Sequence, residues 1–231
     1  MQKSRLVVLG LSVFFITSLA LLVGCDGKGG GKGIREGTIE YDARPIDVNN
    51  PLAAYSPTKM IFKFKDSKCK GELSAGMGML NMAFISNPQK KTFTQQVRIV
   101  NQKYYHIYDT IALKKENKAF PKFTLKPSNE TKIIAGFKCK KTTIVFEDPK
   151  NQSFDIYYTN DIDIEAPNWS SPFKDIEGVL MEYQIVRYGF ELRFTAKTVT
   201  QNSIKDDQFE ISKDYKKVTD QYLTDLFKSF Q

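Results

Sequence analysis

From Gly37 onward the chain alternates apolar and polar residues with a period of two, and turn-forming residues break the runs. In TIEYDA, Ile39, Tyr41 and Ala43 share one face. In KMIFKFK, Met60, Phe62 and Phe64 take one face and lysines the other. CKGELSAGMGMLNMAFIS reads as two strands, with Gly76 and Gly78 as a kink or bulge between them. TFTQQVRIV and KYYHIYDT form a hairpin across NQK, and KIIAGFKCKKTTIVFED pairs with SFDIYYT across PKNQ. GVLMEYQIV and FELRFTAKTVT form a further hairpin through Tyr188-Gly189. Their apolar faces are Val179, Met181, Tyr183 and Ile185, then Phe190, Leu192, Phe194 and Ala196. Residues 114–130, rich in Lys, Pro and Asn, and residues 160–174 read as long loops.

Near the C-terminus the period changes. Tyr215, Val218, Tyr222, Leu226 and Phe230 recur every three to four residues, and Ser212 is placed to cap the first turn. This predicts an amphipathic C-terminal helix, and an antiparallel sheet with one apolar face is its natural partner. The expected fold class is α+β, mostly β. No repeat and no internal linker divides residues 35–231, so they are expected to form a single domain.

The first 25 residues follow a different logic. Lys3 and Arg5 precede a run from Leu6 to Val23 that is apolar except at Ser12, Thr17 and Ser18. Small residues then lead into Cys25, and Leu22-Val23-Gly24-Cys25 resembles the lipobox of bacterial lipoproteins. By that resemblance residues 1–24 are a signal peptide, and Cys25 carries a thioether-linked diacylglycerol and becomes the mature N-terminus. Several acyl chains, palmitate among them, at about 0.8 kcal/mol per buried CH₂ would anchor the chain firmly. The alternative is an uncleaved spanning helix, for which the run is just long enough. Residues 25–34 then form the lipidated cysteine and a flexible tether. Asp26 resembles an inner-membrane retention signal of enteric bacteria, and no acidic cluster of the surface-export kind follows Cys25. The expected location is the outer membrane, lipid-anchored on its periplasmic side, ahead of the inner membrane or the cell surface.

An exported chain folds in an oxidising compartment. Cys69 and Cys139 remain once Cys25 is lipidated, each in the local context KCK. Flanking lysines lower a thiol pKa and ease oxidation. A Cys69–Cys139 disulfide would close a loop of about 70 residues and stabilise by about 4 kcal/mol. Two buried, unpaired thiols are the other arrangement. Neither cysteine has a CxxC partner, so thioredoxin-like chemistry is not expected.

KMIFKFKDSKCKGELSAGMGM, TQQVRIVNQKYYHIYD, KIIAGFKCKKTTI, DIYYTNDI, IEGVLMEYQI and FEISKDYKKVT together resemble DUF4412, a family of exported bacterial proteins. Segment order is also similar to the GLPGLI family of Bacteroidetes, although IEGVLMEY stands where those proteins carry a motif richer in glycine and proline. The resemblance implies an exported protein with a LolA/LolB-like half-barrel, a strongly curved antiparallel sheet with helices on its concave side. It implies no catalytic residues.

The whole chain has 231 residues, net charge +8 and a pI near 9.2; loss of residues 1–24 removes Lys3 and Arg5 and leaves +6. That surplus suits an anionic lipid surface. Scattered lysines, with no Arg-rich helix and no zinc spacing, argue against nucleic acid. The single histidine, His106, lies mid-strand among aromatics with no GxSxG motif to serve, and reads as structural. Asp161, Asp163 and Glu165 alternate in DIDIE, but the calcium-loop pattern is absent and a solvated loop is expected. No metal site, cofactor or catalytic set is expected, and a hydrolase stands far behind. DTI at 109–111 resembles an O-glycosylation signal of Bacteroidetes that would modify Thr110.

Methionine adapts to irregular apolar ligands. Met77, Met79 and Met82, the faces bearing Phe62, Phe64 and Phe194, and Trp169 on a rim loop with Phe173 are the candidate ligand contacts. The expected function is a lipid-anchored cell-envelope protein that binds a lipid or other apolar ligand without catalysis. The alternative is a scaffolding lipoprotein with a filled core that works through an envelope protein partner.

Overall fold

The computed structural model describes residues 33–50, 53–187 and 189–228. The expected signal peptide 1–24, the lipidated Cys25, the tether up to residue 32, and Tyr188 and Phe230 lie outside the described residues. Among the described residues no helix is long and apolar enough to cross a membrane.

Among the described residues, twelve strands form one strongly curved, unclosed sheet. They are β1 (Glu36–Pro45), β2 (Lys59–Lys65), β3 (Lys68–Ala75), β4 (Leu80–Asn87), β5 (Thr92–Ile99) and β6 (Gln102–Tyr108), then β7 (Phe123–Ile134), β8 (Phe137–Phe146), β9 (Phe154–Thr159), β10 (Val179–Arg187), β11 (Phe190–Thr200) and β12 (Lys216–Lys217). Their order is β12-β6-β5-β4-β3-β2-β1-β11-β10-β9-β8-β7. Every neighbouring pair is antiparallel except the short β12, which runs parallel to β6. Two meanders, β2–β6 and β7–β11, therefore meet at β1, which pairs with β2 on one side and β11 on the other. Register shifts at Glu40/Tyr41, Leu180/Glu182 and Pro127/Thr131 interrupt three of the ladders. Bulges of this kind bend a strand and increase its twist, which is how a sheet this wide curls.

Period-two alternation sets the two faces. Ile39, Tyr41, Ala43, Met60, Phe62 and Phe64 all turn inward and are buried. The alternating lysines turn outward and are paired: Lys63 and Lys70 both reach Glu72, at 2.7 and 2.8 Å. Phe64 is fully buried in the main core.

The stretch expected as a loop over 114–130 is ordered as α1 (Thr110–Ala119) and the first part of β7. Asp109 caps α1, its carboxylate accepting from the Ile111 and Ala112 amides at 2.9 and 2.8 Å. Pro127 is tolerated because β7 is an edge strand, where a missing N–H goes unnoticed. The loop expected over 160–174 is a loop, joined to β1's approach by a parallel bridge between Ile34 and Ile162.

The C-terminal helix is shorter than its periodicity suggested. It is α2 (Asp220–Lys228), starting well after Ser212. Residues 201–215 instead cross the outer face as a strap. Lys65 donates to the Ile204 carbonyl at 3.2 Å, Lys68 to Asp206 at 2.8 Å and Lys63 to Gln208 at 2.9 Å. Beyond the strap Lys216–Lys217 pairs with β6, and the Thr219 hydroxyl accepts from the Tyr222 amide to start the helix. Backbone bonds to β6 and a Thr cap outcompete a helix through Val218 and Thr219, both β-branched. Leu223 and Phe227 enter the main core, with Val218 and Leu226 packed at its margin.

Candidate ligand cavity

The concave face carries a row of rings that crosses most of the sheet. Tyr183 stacks on Phe194 at 5.2 Å, and Tyr41 meets both edge-on. Tyr41 then contacts Phe62, Phe62 contacts Phe84, Phe84 stacks on Phe93 at 5.9 Å, and Phe93 contacts Tyr108. The row passes over β3 at Gly71, whose register partners are Phe62 and Phe84. A Cβ at Gly71 would stand 2.3 Å from the Phe84 ring, so only glycine lets that ring lie across the strand.

A cavity of about 200 Å³ lies against this row. Its walls include Phe62, Met82, Phe84, Phe93 and Phe194, with Cys69 and Leu73 between them. The covering side is the loop after β9, through Pro167, Asn168, Ser170, Ser171, Pro172 and Phe173. Four hydrogen bonds fasten that loop. The Asn168 amide donates to the Ile176 and Gly178 carbonyls at 2.8 and 2.9 Å. The Trp169 indole N–H donates to Ser86 Oγ at 2.7 Å. Asn117 of α1 donates to the Ser170 carbonyl at 3.4 Å. Phe173 plugs the end, buried among Phe120, Phe123 and Phe154 in a second core with Ile144 and Ile156.

The candidate contacts separate accordingly. Met82, Phe62 and Phe194 line the cavity. Phe64 does not line it and belongs to the main core. Met77 and Met79 point away, 99% and 56% exposed on the β3–β4 turn, where Gly76, Met77 and Gly78 all have positive φ. Period-two reading could not place them, because three left-handed residues in succession reset the alternation. Trp169 latches the loop and packs on Phe93, Tyr108 and Leu113. Phe84, Phe93 and Leu73 were missed as ligand contacts; the alternation marks their faces, but only the Gly71 gap brings Phe84 over the cavity.

His106 is structural in its contacts: Nδ1 lies 2.8 Å from the Val218 carbonyl and the ring packs edge-on against Tyr108. It pins the strap's end to β6. Asp163 meets Arg35 at 3.6 Å, and Asp161 and Glu165 are exposed. Among the described residues no group of three His, Cys, Asp or Glu side chains is placed to hold a metal. Thr110 is exposed at the first turn of α1.

The expected Cys69–Cys139 bridge is not formed. Both are free, buried thiols, with Cys69 Sγ 3.9 Å from the Ser67 carbonyl and Cys139 Sγ 3.4 Å from that of Phe137. Five strands stand between β3 and β8. The two strands do not border one another, so no register pairing sets these thiols side by side. The flanking lysines do not activate the thiols either. Alternation sends Lys68 and Lys70 outward to Asp206 and Glu72 while Cys69 turns in. Burial pushes the Cys69 thiol up to about 12 and that of Cys139 to about 11. Iodoacetamide at pH 8 should therefore leave both thiols unmodified in the native protein and label both in denaturant, read by intact mass. Rapid native labelling of either would contradict this placement.

No protein-family model matches the chain, and no curated protein matches it.

Proposed function

We propose that this is a lipid-anchored cell-envelope protein of the DUF4412-like, exported type, whose half-barrel holds an apolar ligand and performs no catalysis. The observation that supports it is the cavity of about 200 Å³ between the ring row and the 167–173 cover. An apolar space of about 150 Å³ already takes up a benzene-sized molecule. This one suits a single slender chain or a small ring compound. Rings, methionine and leucine supply the contacts, and the location is the periplasmic side of the outer membrane.

Two experiments test the reading. Cys25→Ser should move the protein from the membrane fraction to the soluble fraction; retention in the membrane would overturn the anchor. Native mass spectrometry of the mature protein, extracted from its own envelope, should show an added mass that leaves on collisional activation and is recovered by solvent extraction. A mass equal to the lipidated chain alone would overturn ligand binding.

A second reading is favoured by one observation. Met77, Met79 and Val100, the last 62% exposed, sit together at one end of the sheet, the Val100 amide donating to the Met79 carbonyl at 2.9 Å. Such a tip suits an envelope protein partner, and a scaffold role follows if the cavity proves empty.

A further inference from the structure

The cavity is walled mainly by rings, yet two of its wall residues hold polar atoms that have no partner. Gln95 lies on the sheet side, between Phe93 and Val97 on the same face of β5, and is 5% exposed. Its amide nitrogen donates to the Ala83 and Gln96 carbonyls at 3.2 and 3.3 Å. Among the described residues nothing donates to its carbonyl oxygen, Oε1. A carbonyl left in an apolar wall without a donor is costly, and such groups are rare in folded proteins.

Tyr183 stands on β10, in the other meander, and borders the same cavity. Its neighbour in the ring row, Tyr41, donates its hydroxyl to the Leu180 carbonyl at 2.8 Å. The Tyr183 hydroxyl has no acceptor of that kind among the described residues. Burial holds this phenol well above the ordinary tyrosine pKa, so it stays protonated and able to donate. Its stack on Phe194 and its edge contact with Tyr41 fix the ring. The rest of the described wall offers an ionised ligand little. It contains no carboxylate, and its one cation, Arg187, already has partners, the Phe93 and Tyr108 rings among them.

An unmatched carbonyl calls for a ligand O–H or N–H, and an unmatched phenol calls for a lone pair. A hydroxyl supplies both from one atom. A hydrocarbon leaves both groups unpaired, an ether answers only Tyr183, and an ammonium answers only Gln95. A carboxylate has no proton for Gln95 and would exchange its hydration for neutral partners.

We propose that the ligand is a neutral alcohol with an apolar body, its hydroxyl donating to Gln95 Oε1 and accepting from the Tyr183 hydroxyl while the body lies along the ring row. The proposal rests on the reading that this cavity binds an apolar ligand.

The test titrates the purified mature protein with three probes of equal heavy-atom count, octanol, heptyl methyl ether and nonane. Binding is followed through Trp169, the chain's single tryptophan, whose indole donates to Ser86 in the cavity wall. Octanol should bind about tenfold more tightly than the ether, and the ether more tightly than nonane. Gln95→Met should erase the advantage of octanol over the ether. Tyr183→Phe should erase the advantage of the ether over nonane. Both variants should still bind nonane, which a folding defect would not allow. Equal binding of all three probes by the parent would overturn the alcohol assignment and leave the cavity reading standing. Binding of none would overturn both. A preference for octanol that survives Gln95→Met would overturn Gln95 as the acceptor and pass that role to Asn168 Oδ1, another wall carbonyl without a donor. Tighter binding of octanoate than of octanol would overturn the choice of a neutral headgroup.

Discussion

Phe173→Ala should lower the free energy of unfolding by about 3–5 kcal/mol, the range for emptying a buried phenylalanine site. Phe173 is 1% exposed and touches Phe120, Phe123 and Phe154, three rings from α1's end, β7 and β9. Those rings are held by different elements, so they are not free to collapse together into the space. The same substitution removes the plug from the cavity's end and should make it larger and wetter. Trp169→Phe is the comparison. It removes the indole N–H bond to Ser86 while keeping most of the apolar contact, so it should cost about 1 kcal/mol. Urea unfolding of the two variants at equal m-value measures the difference. A Phe173→Ala variant within 1 kcal/mol of the parent would mean the loop is not part of the core.

Leu223→Ala should cost about 2–5 kcal/mol, whereas Tyr222→Ala should cost about 1 kcal/mol or less. The two residues are adjacent, yet Leu223 is 0% exposed in the main core and Tyr222 is 43% exposed. Tyr222 still contacts Tyr104 at 5.1 Å, which is why a small loss is expected there. Sequence periodicity had put Tyr222 and Leu226 on the covering face. The pair of variants therefore decides between two rotations of α2. Comparable losses, or a larger one at Tyr222, would return the helix to the rotation expected from the pattern. Leu223→Ala should also expose the strap to proteolysis, because α2 and the His106 bond to Val218 hold its far end together.

Much of the sheet was legible in the sequence because a strand's two faces are decided locally. Successive side chains point to opposite sides, so the alternation of Ile39, Tyr41 and Ala43, or of Phe190, Leu192 and Phe194, states which residues are buried whatever the strand pairs with. Hairpins joined by short turns, such as β5–β6 and β10–β11, were equally legible, since neighbours in sequence pair in space. Two of the cavity's walls, Phe62 and Phe194, came from the same rule, and Met82 from the methionine-rich stretch.

Only the tertiary structure decided the rest. The placement of β1 between β2 and β11 joins residues about 155 apart, which no local pattern encodes. Gly71 reads as an ordinary strand glycine until Phe84 is found lying across it. Lysines beside Cys69 promise a reactive thiol in sequence, and the pleat turns them to the opposite face. The helix that periodicity began at Ser212 gave way to a strap and an edge strand, because carbonyls and amides at β6 offered backbone partners that the sequence does not display. The cavity itself belongs to this second class: faces are set residue by residue, but enclosed space exists only once the sheet has curved and a distant loop has closed over it.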